Sequence, residues 1–381
     1  MLTAEGCRGR RERLWKHIQL DLGEVDAVLI TEPAHVTYLS GFCLSAYEFR
    51  SVLAAAWLVL HSNGRAVLVA DNLLRPYADA AFVDEIIDPV WYNGNASAGS
   101  RRELLVAGAK QALGNLGTRR VALEGASAPL SVVDKLREGG ATWVDLGQAL
   151  AVLRAKKDAD EIAVFRRSVA AGEAGHAAAL RELRPKMTEY DLYHLVRRAV
   201  EVSLGEPAQV YGDFVSGPRC EEIGGFASAR VIEKGDLVLL DFSVVVQGYR
   251  CDFANTFVCD GEPKADLQEA FLACRAAMDV GEKAARAGVP CRTVDEAVRA
   301  SLGERRSNFL THSGHGLGLG HPETPFIVPA STDTLQSGNI ITIEPGQYVP
   351  GAYGLRIERN YLVTEAGLEV LSKHEIRLTQ I

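Results

Sequence analysis

A chain of 381 residues exceeds what a single hydrophobic core ordinarily supports, so we expect two domains. Its 47% hydrophobic and 24% charged residues are typical of a soluble globular protein, while a net charge of −8 argues against a nucleic-acid partner. Because no apolar run is long enough to span a bilayer and the first residues lack the apolar core of a signal peptide, we expect a cytoplasmic protein without a membrane partner.

The first 150 residues alternate between helical and strand patterns. Apolar runs bounded by turn signals such as Ser62-Asn63-Gly64 indicate strands that are buried on both faces. We therefore predict an α/β domain over residues 1–152. Its predicted elements are a helix at 7–23, strands at 25–31, 52–60 and 65–70, a helix at 100–114 and a strand at 119–125.

Helical periodicity dominates residues 146–183 and is interrupted around Lys156-Lys157-Asp158. Pro185 ends this stretch, and Thr188 with Asp191 is a capping signal for the next helix. Strands dominate from residue 236 onward, with a further helical stretch at 264–304. These shifts predict a second, α+β domain over residues 153–381.

Two aspartates stand in apolar strand-like sequence on either side of Gln247-Gly248, a plausible hairpin turn. Folding at that turn places Asp241 and Asp252 nearly opposite one another on adjacent strands. Buried carboxylates are costly unless they are neutralised, and two side by side repel one another. A divalent metal would remove both costs, whereas the alternative is a pair of solvated aspartates at strand ends.

Further candidate ligands follow in the last 70 residues. His315 lies in the glycine-rich segment SGHGLGLGH, where the backbone is free to approach a metal closely. Glu344 and Glu358 each follow strand-like sequence, after Ile-Ile-Thr-Ile and Leu-Arg-Ile respectively. Arg356 offers a structural salt bridge as the competing explanation for one of these glutamates.

Four carboxylates and one imidazole form a ligand set suited to manganese, cobalt, iron or zinc. Five ligand residues are enough for two metal ions when carboxylates bridge them. Such ions, about 3.5–4 Å apart, can activate a bridging hydroxide and polarise a carbonyl oxygen.

The pattern resembles the pita-bread superfamily of methionine aminopeptidases, Xaa-Pro aminopeptidases, prolidases and creatinases. The order Asp, Asp, His, Glu, Glu is matched in this chain, with His315 in a GHG motif, Glu344 in EPG and Glu358 in RIE. Residues 25–42 and the helix after residue 153 resemble the creatinase/prolidase N-terminal domain and the start of the catalytic domain. The resemblance favours the Xaa-Pro aminopeptidase and prolidase branch.

The resemblance implies a metallopeptidase that holds two divalent ions, manganese first and cobalt, zinc or iron as alternatives, on Asp241, Asp252, His315, Glu344 and Glu358. The reaction it implies is hydrolysis of an amide at a peptide N-terminus, often before proline, by a metal-bridging hydroxide. Glu344 would carry the proton to the leaving nitrogen, and Arg356 and His321 complete the expected catalytic set. A homodimer is implied by resemblance as well.

The sequence departs from the family pattern in three places, of which two concern the substrate side and the third lies beside the metal ligand Asp252. An ungapped match to SGPRCEEIGG places Gly224 where family peptidases carry a histidine. A second family histidine stands seven residues after the metal histidine, which here is Pro322, so that His321 lies one residue early. Ala254 and Asn255 replace the Thr-Arg pair that the family commonly shows after Asp252.

These departures leave two other functions open. The first is hydrolysis of a non-peptide small amide by an enzyme that resembles ectoine hydrolase or creatinase. The second is a non-catalytic pita-bread module that binds peptide, although no metal ligand is lost.

Overall fold

The computed structural model describes residues 1–44, 54–115, 117 and 119–380. The chain divides into two compact units, Met1–Arg154 and Ala155–Ile381. None of the helices in the described part of the chain is long and apolar enough to cross a membrane.

Unit 1 is built on one six-stranded sheet. Its strands are β1 (Ala27–Ile30), β2 (Ala56–His61), β3 (Ala66–Ala70), β4 (Glu85–Ile87), β5 (Arg120–Leu123) and β6 (Thr142–Asp145). They lie in the order β4-β3-β2-β1-β5-β6, in which β2 is antiparallel to both neighbours and the other pairs are parallel. The predicted strands at 25–31, 65–70 and 119–125 are confirmed. The predicted strand at 52–60 is confirmed from Ala56, and its residues 52 and 53 lie outside the described residues.

Within the described residues of unit 1, six α-helices accompany this sheet, and α4 packs against β2 and β3. They are α1 (Ala4–Asp21), α2 (Pro33–Ser40), α3 (Arg75–Ala78), α4 (Arg101–Leu113), α5 (Leu130–Glu138) and α6 (Ala149–Ala155). The predicted helices at 7–23 and 100–114 are confirmed as α1 and α4. Pro33 begins α2, because its fixed φ and missing N–H suit the first turn of a helix.

Unit 2 contains four long helices. They are α7 (Ala159–Glu182), α8 (Glu189–Leu204), α9 (Ala265–Ala284) and α10 (Cys291–Ser301). The predicted cap of α8 is confirmed, since Thr188 Oγ1 accepts from Asp191 N at 3.1 Å and Asp191 Oδ2 accepts from Thr188 N at 2.7 Å. The predicted interruption at Lys156–Asp158 separates α6 from α7.

The strands of unit 2 form three sheets. They are β7 (Gln209–Ser216), β8 (Leu237–Val246), β9 (Tyr249–Arg250), β10 (Phe253–Val258), β11 (Gly314–Gly316), β12 (Glu323–Ile327), β13 (Ile340–Ile343), β14 (Gly346–Val349), β15 (Tyr353–Arg356), β16 (Arg359–Thr364) and β17 (Gly367–Val370). One sheet has the order β10-β8-β7 with β9 paired to β8, the second has the order β12-β11-β13-β16-β17, and β14 pairs with β15.

Helix α7 packs on β8 and β10 through two glycines. A Cβ on Gly172 would lie 2.3 Å from the Phe253 ring, and one on Gly175 would lie 3.0 Å from the Phe242 ring. Both phenylalanines are fully buried. Because successive residues of a strand point to opposite faces, the aspartates next to these rings face away from α7.

Candidate metal centre

The β8–β10 hairpin places the first two carboxylates. Gln247 and Gly248 have φ values of 49° and 82°, as a tight hairpin turn requires, which confirms the predicted turn. Asp241 pairs with Ala254, so Asp252 lies diagonally across from Asp241 on the same face rather than directly opposite it. Ser243 Oγ donates to Asp252 Oδ1 at 2.9 Å and fixes that carboxylate.

The two glutamates reach the same place from other strands. Glu344 directly follows β13, and Glu358 lies between β15 and β16. The Glu358 backbone N–H donates to the Ala254 carbonyl oxygen at 2.9 Å, which ties this segment to β10. Asp241, Asp252 and Glu358 each present an oxygen within 4.8 Å of the other two.

His315 is held by the glycines on either side of it. A Cβ on Gly314 would lie 2.1 Å from the Thr342 carbonyl oxygen, and one on Gly316 would lie 2.3 Å from the Thr324 carbonyl oxygen. His315 Nδ1 faces the Gly316 carbonyl oxygen at 3.0 Å, so this nitrogen carries the proton and the Nε2 lone pair is free. Nε2 then points between the carboxylates.

The distances from His315 Nε2 define its neighbours. The nitrogen lies 3.4 Å from Glu344 Oε1 and 3.8 Å from Asp252 Oδ2. The five residues that the sequence predicts as metal ligands are therefore brought together from β8, β11 and the segments next to β10, β13 and β16.

Burial leaves the carboxylates short of counter-charge. Burial raises the pKa of Asp241 well above its ordinary value, although Arg356 opposes this. Burial and the charge of Asp252 raise the pKa of Glu358 in the same way. Glu358 Oε1 is also buried without a hydrogen-bond partner among the described residues. An unpaired oxygen among crowded carboxylates is what a divalent cation would satisfy, so the donor set fits a metal.

Arg356 lies behind Asp241 rather than free in the site. Its guanidinium donates to Asp241 Oδ2 at 2.5 Å, to the Tyr348 hydroxyl at 2.5 Å and to Asp213 Oδ2 at 2.8 Å. These bonds orient Asp241 and partly compensate its charge. The salt bridge considered for this arginine therefore exists, with aspartates and not with Glu344 or Glu358 as its partners.

Three residues of the site were not predicted from the sequence. His312 Nε2 lies 3.1 Å from Glu344 Oε1, and its side chain is 38% exposed. Thr342 Oγ1 donates to Glu344 Oε1 at 2.8 Å. Asp213, the partner of Arg356, stands opposite Asp241 on β7. The sequence did contain signals for two of these residues. Asp213 stands in the apolar run of β7, and His312 lies three residues before His315.

The two substrate-side positions behave differently in the structure. Gly224 has a φ of 93° and lies beside Asp213, with the neighbouring Gly225 N–H donating to Asp213 Oδ1 at 2.7 Å. His321 does reach the carboxylates, because its Nε2 contacts Asp252 Oδ2. Burial raises the pKa of Asp252, but the hydrogen bond and charge of His321 hold it below its ordinary value.

Two family models together match most of this chain. Residues 163–365 match the model of metallopeptidase family M24, and residues 10–156 match that of the creatinase/prolidase N-terminal domain. The chain belongs to metallopeptidase family M24. It is a metallopeptidase-type hydrolase, and the predicted pita-bread resemblance and fold class are confirmed.

Individual relatives of this M24 protein cover nearly its whole length. An uncharacterized peptidase of Staphylococcus saprophyticus is 27% identical over 94% of this chain and 97% of its own. The Xaa-Pro dipeptidase from Bacillus anthracis superposes with a TM-score of 0.82 at 24% identity, over 98% of this chain and 100% of its own. The prolidase from Pyrococcus horikoshii OT3 superposes with a TM-score of 0.80 at 23% identity, over 97% of this chain and 99% of its own. At these identities the two solved structures establish the fold alone.

Proposed function

We propose that this M24 protein is a dinuclear metal-dependent hydrolase that cleaves the amide bond at the N-terminus of a peptide, in the manner of an Xaa-Pro aminopeptidase or dipeptidase. The observation that carries the proposal is the convergence of five potential ligands. Asp241, Asp252 and Glu358 form one group. His315 adjoins it, since its Nε2 lies 3.8 Å from Asp252 Oδ2 and 3.4 Å from Glu344 Oε1. The proposal also assigns the domains: the N-terminal domain comprises residues 1–152, and the catalytic domain comprises residues 153–381.

Charge balance supports two divalent ions rather than one. Four buried carboxylates face the site, and Arg356 contacts one of them, Asp241, from behind. Two divalent ions would neutralise the carboxylates, with manganese as the first candidate and cobalt, zinc or iron as alternatives. When bound, such a pair lowers the pKa of water and polarises the carbonyl group of the substrate.

Glu344 is the proposed proton carrier of the site. Burial raises its pKa, but the hydrogen bond from His312 and the charges of His315 and His312 hold it below its ordinary value. The carboxylate is thus ionised at neutral pH and able to accept a proton. Thr342 Oγ1, bonded to Oε1, fixes its orientation for transfer to the leaving nitrogen.

His312 is the group proposed to donate a hydrogen bond to the substrate. Burial lowers its pKa, but the hydrogen bond to Glu344 and the charge of that carboxylate raise it above 6.5 overall. The imidazole therefore stays protonated to a higher pH and can donate a hydrogen bond to a carbonyl or to developing negative charge. Its partial exposure leaves this donor accessible from solvent.

The substrate class is proposed from the relatives. Solved structures with this fold include proteins described as Xaa-Pro dipeptidase and prolidase, so a peptide with proline after its first residue is the first substrate to test. Gly224 favours the second candidate, hydrolysis of a non-peptide small amide. Its φ of 93° disfavours any side chain there, so the family histidine has no counterpart at that position. A homodimer in the cytoplasm remains part of the proposal.

The experiment combines metal analysis with a substrate panel. Purified protein, stripped with chelator and reconstituted with manganese, should retain about two ions per chain. It is then assayed on Xaa-Pro dipeptides, longer peptides with proline second, and N-acyl amino acids. Cleavage confined to the N-acyl compounds would transfer the proposal to the second candidate. Less than one ion per chain and no hydrolysis would refute a metal-dependent hydrolase.

Glu344→Gln tests the proton carrier within the same assay. The amide keeps the size of the side chain but cannot accept the proton, so turnover should fall by at least about 10²–10⁴-fold. Glu365→Gln is the matched control, because Glu365 is an exposed turn residue. Wild-type turnover in Glu344→Gln would refute the role of this residue.

A further inference from the structure

His321 lies against Asp252, one of the candidate metal ligands, through its ring Nε2. We infer that His321 is a protein ligand of the metal centre in this chain, which makes it a second imidazole ligand beside His315. The inference rests on the dinuclear site proposed above and adds to its ligand set a residue outside the Asp, Asp, His, Glu, Glu order.

The first observation is the position of the ring nitrogen. His321 Nε2 contacts Asp252 Oδ2, and the potential ligand atoms of Asp252, His315 and His321 lie within 4.8 Å of one another. Nitrogen and carboxylate oxygen ligands stand about 2.0–2.2 Å from a transition metal, so three such atoms can share one ion.

The second observation is that the two carboxylate oxygens of Asp252 have different partners. Its Oδ1 is taken by the Ser243 hydroxyl, which leaves Oδ2 toward the two imidazoles. The rings of His315 and His321 are nearly perpendicular, at 86°, with centroids 5.1 Å apart. This arrangement lets both Nε2 atoms approach one point without a clash between the rings.

The third observation is that hydrogen bonds and a buried ion pair hold the turn around His321 in place. Glu323 Oε2 accepts from Gly320 N at 2.9 Å, and Glu323 Oε1 accepts from Lys157 Nζ at 2.7 Å. Both side chains of this ion pair are buried, with 1% of Lys157 and 7% of Glu323 exposed. The residues on both sides of His321 are thereby fixed, so the imidazole is held at Asp252 before any ligand binds.

A second imidazole changes which metals the site prefers. Imidazole suits zinc, iron and copper, whereas carboxylate and water suit manganese. With His321 as a ligand, the ion between His315 and Asp252 has two nitrogen donors. This chain should therefore favour zinc or cobalt over manganese at that position more strongly than it does after His321 is removed.

X-ray absorption of the zinc-loaded protein tests the assignment by counting imidazole ligands. Two histidine ligands over two ions give one imidazole per zinc on average, whereas His315 alone gives one for every two zinc ions. His321→Gln should lower the count to the latter value and weaken zinc binding relative to manganese by about tenfold or more. The exposed His194 provides the control, since His194→Gln should leave both quantities unchanged.

The outcomes separate this inference from the proposed function. Wild-type protein that binds two zinc ions with one imidazole between them overturns the assignment of His321, whatever the variant does. Protein that binds no zinc overturns the dinuclear site itself. Because the wild-type count decides the matter, poor folding of His321→Gln would not leave the inference untested.

Discussion

His312 and Glu344 meet through Nε2 and Oε1, 3.1 Å apart, with the imidazole partly exposed and the carboxylate buried. The pair joins the open side of the site to its buried ligands. Glu344 is brought to His312 by the backbone hydrogen bond from its own N–H to the Ser313 carbonyl oxygen, at 3.0 Å. The same segment that supplies His315 thus supplies the group that faces solvent.

His312→Gln should lower kcat by about 10²-fold, because the proposed hydrogen-bond donor to the substrate is lost while the five candidate metal ligands remain. The pKa of His312 is raised above its ordinary value, so wild-type activity that depends on this proton should be lost as the pH rises through that raised pKa. The variant should lack this alkaline limb. A pH–rate profile together with metal content measures both effects, and an unchanged alkaline limb would contradict the role of His312.

Arg356→Met should destabilise the protein by about 3–5 kcal/mol, because Asp241 and Asp213 are left without their shared partner. Urea unfolding with and without manganese measures the change, and metal should recover part of it by neutralising Asp241. Arg198→Met, at an exposed position on α8, should stay within about 0.5 kcal/mol of wild type. A similarly small loss of unfolding free energy in Arg356→Met would show that this network contributes little to stability.

Gly316→Ala should cost about 1–3 kcal/mol and displace His315, since the added Cβ would lie 2.3 Å from the Thr324 carbonyl oxygen. Cobalt titration of the variant should show weaker binding, by about tenfold. Gly99→Ala is the matched change at a glycine with open space around it. Equal cobalt affinity in Gly316→Ala and wild type would mean that the close strand approach does not position His315.

Metal stabilisation should grow with pH. The raised pKa values of Asp241 and Glu358 mean that, without metal, their contribution to stability is fully present below pH about 4 and is lost as pH rises through those values. Metal supplies the missing counter-charge when both groups are ionised. Manganese added to chelator-treated protein should therefore raise Tm more at pH 8 than at pH 5. An equal rise at both values would contradict this explanation, and Glu358→Gln should reduce the difference.

Much of the site follows from local sequence, because buried charge is conspicuous. A carboxylate inside or directly beside an apolar strand needs a counter-charge, and this requirement is enough to single out Asp241, Asp252, Glu344 and Glu358 as candidate ligands. The hairpin turn at Gln247-Gly248 and the cap at Thr188 were predictable because each depends on residues a few positions apart. The glycines around His315 indicated close backbone approach, which Thr342 and Thr324 provide.

Other features depend on contacts between segments that are distant in the chain. Asp213 joins the site because β7 pairs with β8, and Lys157 fixes the turn of His321 across a separation of 166 residues. Sequence spacing carries no information about such pairs, since strand order and loop packing are set by the whole core. The family spacing thus left His321 without a defined place, and its contact with Asp252 came from tertiary packing.

Local sequence and tertiary packing determined different parts of this site, for a physical reason. The carboxylates, the metal histidine and the turns that present them are specified by burial and by backbone geometry over a few residues, so the amino-acid sequence alone determined the five candidate ligands. The groups around them, Asp213, His312 and His321, are polar side chains whose partners lie on other segments of the chain. Only the tertiary structure decided which of them reaches which carboxylate, because hydrogen-bonding distance is a property of the packed fold.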